Sequence, residues 1–261
     1  MNRQMQAIVR KDLRAITQNK QLFAVILIVP LVLSVFVPLV FVVTLRFAPT
    51  EMGEFDALLR SFPGVAGQTQ MQRILNLMLN SMLPVLFLMI PIMAASVMAA
   101  SAFVGEKEKQ TLETLLYSPL TLQQVFRAKV MAAFWLSLLV SAISFVAMVI
   151  AVEGAALLML QQLAPLGLNW LLILLLVGPA MSLIAITLMV RTSARSQTAM
   201  EAQQRAAFLI LPILLLMVGQ FTGVMLISTW VLLALGVVAA GLAWLLLRRA
   251  LGSFTYEKAL A

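Results

Sequence analysis

GEKEKQTLETLLYSPLTLQQVFRAK, residues 105–129, is the longest polar, helix-prone stretch of the chain, and long apolar runs flank it on both sides. Glu106 to Tyr117 contains no Gly or Pro and reads as a helix. Glu106 and Lys109, then Lys109 and Glu113, stand three and four residues apart, so they form surface pairs. Leu112, Leu115 and Leu116 make a narrow apolar stripe on the same helix. Ser118-Pro119 stops it, because a residue before proline disfavours the helical region. Thr121 and Gln124 have capping-box spacing, and Leu120 and Val125 have that of a hydrophobic staple, so a second helix is expected from Leu122. A reversal needs only a few residues. This stretch is a rigid helix–turn–helix bracket with charge and leucines on its surface, suited to touching another molecule.

The rest of the chain explains why that polarity stands out. Apolar residues make up 62% of the sequence and charged ones 11%, against about 25% charged in a soluble domain. Six runs are long enough to cross a bilayer, near 22–45, 83–104, 130–152, 169–190, 206–227 and 231–247. The last is the shortest and needs its flanks to span, and only Ser228, Thr229 and Trp230 separate it from the fifth. The expected fold is an all-α membrane protein with six transmembrane helices, a single membrane domain over residues 1–261. Residues 46–82 form an outer loop and the approach to the second span.

Charge sets the orientation. Fifteen of the 18 Lys and Arg lie in 1–21, 105–129, 191–205 and 248–261, leaving Arg46, Arg60 and Arg73 for the other side. By the positive-inside rule both termini are cytoplasmic. The net charge of +8 therefore serves topology beside anionic lipid, and no nucleic-acid partner is expected. The basic N-terminus resembles a signal peptide, but its 24-residue apolar run has no small-residue cleavage site and reads as a retained span. Before it, Met5, Ile8, Val9, Leu13 and Ile16 share one helical face while Arg3, Arg10, Lys11 and Arg14 mostly point elsewhere. That pattern suits an interfacial helix, with a frayed basic flank as the alternative.

Several chemistries are excluded. The chain has no Cys and no His, so disulfides, thiolates and imidazole metal sites are absent. No Asp, Glu, Lys or Arg lies inside the runs away from their ends, which argues against a self-sufficient ion-coupled carrier. There is no HExxH, GxSxG or GxxxxGK[ST], so neither proteolysis of those types nor a phosphate loop of its own is encoded. Pro30, Pro38, Pro84, Pro91, Pro179 and Pro212 lie in or at the start of spans and can kink them. Small residues recur four apart, as in Ala95/Ala99, Ser96/Ala100, Ser137/Ser141 and Gly219/Gly223, and allow close helix packing. Asn76, Asn80, Gln220 and Thr222 are polar residues of the outer half, which either line a substrate path or bond locally.

The opening stretch resembles a family signature. G-E-[KR]-E-x-x-T-L-E-x-L-L-x-[ST]-P is the pattern that follows the second span in ATP-binding-cassette (ABC) permeases of the type 2 export class. Gly105, Glu106, Lys107, Glu108, Thr111, Leu112, Glu113, Leu115, Leu116, Ser118 and Pro119 match it, followed by Lys129. The N-terminal amphipathic segment is similar to the family's interfacial helix, and Glu201-Ala202-Gln203 resembles the E-A-Q of sodium-extrusion-like members. The resemblance implies a permease dimer, homo- or heteromeric, in a bacterial or archaeal cytoplasmic membrane. Each chain would sit on a cytosolic ABC ATPase subunit that carries the ATP and Mg²⁺. This chain would bind no cofactor and would not itself be an enzyme. Glu106 to Tyr117 would be the coupling helix, with the three leucines in a groove of the ATPase and Glu106, Glu108 and Glu113 facing basic residues there. The near-absence of residues between the fifth and sixth spans departs from members with a re-entrant outer segment. An autonomous channel or carrier, and a scaffold or maturation factor that recruits a cytosolic protein, remain as alternatives.

Two outer segments complete the reading. Glu51 to Phe62 could form a short helix ended by Pro63-Gly64, either covering an exit or packing on the bundle. Glu153 to Leu168 carries one charge and is expected at the outer interface. An uncharged bundle rich in Met and Phe fits an amphipathic or lipid-like cargo better than a small ion.

Overall fold

The computed structural model describes residues 3–47, 69–108, 121–193 except 162 and 165, scattered positions between 198 and 218, and 229–253. Every regular element among them is a helix. The first, α1 (Arg3–Gln18), ends where the Asn19 side chain accepts from the N–H groups of Gln21 and Leu22 and so starts the next helix. Five helices are long and apolar enough to cross a membrane: α2 (Lys20–Phe47), α3 (Met71–Gly105), α4 (Gln123–Leu160), α5 (Leu168–Thr192) and α6 (Thr229–Ala250). They contain the first, second, third, fourth and sixth of the apolar runs. The fifth, 206–227, falls largely outside the described residues, so five spans are seen where six were expected. Glu51 to Phe62 also lies outside them.

Two helices are longer than their apolar runs. The helix leading into α3 starts at Gln70, well before Leu83, because Thr69 and Gln72 form a reciprocal capping box. Residues 70–82, expected to belong to the outer loop and the approach to the span, are thus helical. α6 gains Thr229 and Trp230 at its start, which brings the shortest run to a spanning length.

Proline sets the local geometry of three spans. In each, the residue just before the proline donates its N–H five residues back: Val29 to Ala24, Leu83 to Met78 and Gly178 to Ile173. Pro30, Pro84 and Pro179 lack an N–H and crowd the carbonyl four residues back, and a widened π-turn relieves that clash. Pro91 instead follows a turn at Leu88. Pro38 sits inside uninterrupted α-helix, and Pro212 lies outside the described residues.

Helix α3 is the axis of the bundle. Its apolar window is 83% buried, against 22% for α6. α4 and α5 pack along it, α2 packs chiefly on α4, and α6 packs on α5. The α3 face is lined by Ala94, Ala95, Met98, Ala99 and Ala100, all fully buried. Small side chains there let neighbours approach closely, where dispersion contacts hold membrane helices together. Phe36, Leu139, Ile150, Leu175 and Val238 point outward, as an apolar solvent requires. At Gly236 of α6, an added Cβ would lie 2.6 Å from Leu176 Cδ2, so that glycine sets the spacing between α5 and α6.

Candidate functional site

The bracket stands at the α1 end of the bundle. α3 continues in helical form through Gly105 to Glu108, and the described chain resumes at Thr121. Gly105 is half-buried, and Glu106, Lys107 and Glu108 form the last helical residues. Thr111, Leu112, Glu113, Leu115, Leu116, Ser118 and Pro119 lie outside the described residues. The returning arm has its expected cap: Thr121 N–H donates to Gln124 Oε1 at 3.1 Å, and Gln124 N–H donates to Thr121 Oγ1 at 3.4 Å. The helix then runs from Leu122 into α4 without a break. The described ends of the bracket, 105–108 and 121–129, are therefore continuous with core helices.

Lys129, two turns into that helix, is almost fully buried. Its Nζ donates to the Ala102 carbonyl of α3 at 2.6 Å, lies 3.8 Å from Asp12 Oδ2 of α1, and sits 5.7 Å from the centre of the Phe103 ring. Burying an ammonium costs several kcal/mol, roughly, unless a partner charge and hydrogen bonds offset it. Here a carboxylate, a carbonyl and a ring face do so together.

The apolar face of α1 is used on protein. Ile8 packs with Val125 and Ala128, with Met5 and Val9 at the edge of that cluster. Ile16 belongs to the main core, with Val9 and Leu13 packed against it. Arg3, Arg10 and Arg14 are exposed. The helix thus keeps its cations outward while its hydrophobic stripe clasps the returning arm.

A second polar centre closes the far end of the bundle. Asn80 Nδ2 donates to Asn76 Oδ1 at 2.6 Å, one turn away, and Asn80 Oδ1 accepts from Gly167 N–H at 2.5 Å. Asn169 Nδ2 donates to the Asn80 carbonyl at 2.7 Å, Trp170 Nε1 to the Leu79 carbonyl at 2.9 Å, and Thr229 Oγ1 to Asn169 Oδ1 at 2.8 Å. Leu79 and Asn80 are five and four residues before Pro84, which has no N–H to offer either carbonyl. Donors from α5 take its place, as buried backbone in lipid demands. Gly167 permits the approach, since a Cβ there would lie 2.8 Å from Asn80 Oδ1. Nearby, Glu153 Oε2 accepts from Ala164 N–H at 3.1 Å and so ties Ala164 to α4. Asn76 and Asn80 are thus engaged in a clamp across α3, α5 and α6. Gln220 and Thr222 lie outside the described residues.

Three residues of these centres were not singled out in the sequence, and each had a signal. Asp12 interrupts an otherwise apolar line between Ile8 and Ile16. Asn169 and Trp170 open a span whose neighbour carries a proline with orphaned carbonyls. No group of acidic side chains able to hold a metal occurs among the described residues.

The described chain is thus a bundle of span-length helices, with the sequence 105–129 joining the second of them to the third. The family profile of the ABC-2 family transporter proteins matches residues 6–231, and the chain belongs to that family, as an ABC type 2 permease. Neither curated proteins nor solved structures give a match.

Proposed function

We propose that the chain is the permease subunit of an ATP-driven exporter, working as a dimer with separate cytosolic ABC ATPase subunits that bind ATP and Mg²⁺. The observation that carries this reading is the bracket motif at the end of α3, in a chain of the ABC-2 family, with its returning arm fixed to the bundle by Lys129. Nucleotide-driven closure of the ATPases pushes on Glu106–Tyr117, with Leu112, Leu115 and Leu116 seated in an apolar groove and Glu106, Glu108 and Glu113 paired with basic residues. The push reaches α3 and α4, of which the bracket is a continuation. In this reading α1 and both termini lie on the cytoplasmic side, where most Lys and Arg cluster. An amphipathic or lipid-like cargo suits a bundle without ionisable residues in its middle.

Leu112→Asp and Glu113→Arg test the docking surface. Each is expected to abolish association with the ATPase while leaving the helical bundle folded; retained association in both sinks the assignment. Partner binding without nucleotide-dependent transport would favour a maturation or scaffold role, and flux through the chain alone in liposomes an autonomous channel.

A further inference from the structure

The interfacial helix is held to the bundle by charge as well as by packing. Ile8, Asp12 and Ile16 follow at four-residue steps along α1, so they form one line, and all three are buried. An acidic residue in a buried apolar line is unfavourable unless a cation meets it. Lys129 does so at 3.8 Å, and its ammonium also donates to the Ala102 carbonyl at 2.6 Å. One ammonium therefore joins three segments: α1, the end of α3 just before the bracket, and the leg entering α4. The contacts of Ile8 with Val125 and Ala128 already supply adhesion. Apolar contacts are non-directional and let helices slide or rotate past each other. An ammonium held between one carbonyl and one carboxylate specifies a single register, the best-attested use of buried charge.

The geometry points to Asp12 and Lys129 as positioning residues that make α1, the end of α3 and the leg entering α4 one rigid body, so that α1 is carried along when a partner pushes on the bracket. The rigid-body half needs no partner, whereas the carrying half rests on the ATPase-driven reading.

The chain has no Cys, so introduced spin labels report cleanly. Ala15 and Gln123, both exposed, mark α1 and the returning arm. In the full chain in lipid nanodiscs, pulsed dipolar spectroscopy of Ala15→Cys/Gln123→Cys is expected to give one narrow distance distribution. Lys129→Arg keeps it narrow, and Asp12→Asn and Lys129→Met at least double its width. Asp12→Asn, nearly isosteric, is the deciding variant should Lys129→Met lose helix content. An Asp12→Asn distribution as narrow as the parent's overturns the rigid body.

A third label at Leu163, exposed at the far end, tests the carrying step in the ATPase-bound complex. ATP is expected to shift both the Gln123–Leu163 and Ala15–Leu163 distances in the parent, and only the first in Asp12→Asn. An equal Ala15 shift in Asp12→Asn overturns the carrying step. No shift in the parent, with a narrow Ala15–Gln123 peak, contradicts the ATPase-driven reading and supports the rigid body.

Discussion

The indole N–H of Trp170 donates to the backbone carbonyl of Leu79 at 2.9 Å, and the same ring meets Phe87 and Phe145 at 5.5 and 5.4 Å. Trp170 thereby caps a carbonyl within the π-turn before Pro84 and fills the junction of α3, α4 and α5 with one side chain. Trp170→Phe retains much of the aromatic packing and removes the donor. Hydrogen bonds between membrane helices average about 0.6 kcal/mol and reach about 1.7. Lost ring area adds to that, so a destabilisation of about 1–3 kcal/mol is expected. Reversible unfolding in mixed micelles reads it, and unchanged stability would show that the bond contributes nothing.

Asn169→Leu removes two bonds at once, to the Asn80 carbonyl and from Thr229. It is expected to cost more than Thr229→Val, which removes only the second. Pro84→Ala restores an N–H beside the orphaned carbonyls, so its combination with Asn169→Leu should be less than additive by about 0.5 kcal/mol or more. A double-mutant cycle by the same unfolding measurement decides it; strict additivity would uncouple Pro84 from the clamp.

Two glycines of α6 give a paired prediction. A Cβ at Gly236 meets Leu176 at 2.6 Å and Val177 at 3.2 Å, whereas one at Gly241 meets nothing within 4 Å. Gly236→Ala is expected to destabilise by about 1–3 kcal/mol through overpacking. Gly241→Ala should be neutral or slightly stabilising, since alanine is the better helix former by about 1 kcal/mol. Equal effects would mean that α5 and α6 do not approach as closely as described.

Thr121→Ala removes the capping box at the start of the returning arm. A loss of about 0.5–2 kcal/mol of helix stability is expected there. Because the cap sits outside the core, amide exchange should quicken over the first turn after Thr121 and stay slow around Ala132 and Ala133, which are fully buried. Uniform quickening along α4 would show that the cap stabilises the whole span.

Five of the six expected spans were legible because hydropathy dominates a chain dissolved in lipid, and the cap at Thr121 because its chemistry is local. The early start of α3 was harder to read, since Gln70, Gln72 and Arg73 break the apolar pattern. The prolines announced kinks, yet their form depended on context: Pro84 induces a π-turn, while Pro38 stays within regular helix. The far-end clamp joins residues 60 to 91 positions apart in sequence and depends on helix order, which periodicity does not encode. The apolar face of α1 was visible, but its partner was not, because a stripe facing lipid and a stripe facing Val125 and Ala128 look alike in sequence.

In the proposed function, the bracket at 105–129 docks an outside ATPase. The most direct test of that docking is purification of the tagged chain from gently solubilised native membranes, with mass spectrometry of what accompanies it. Stoichiometric recovery of a cytosolic protein carrying a GxxxxGK[ST] loop is expected. Recovery of the folded chain alone would contradict it.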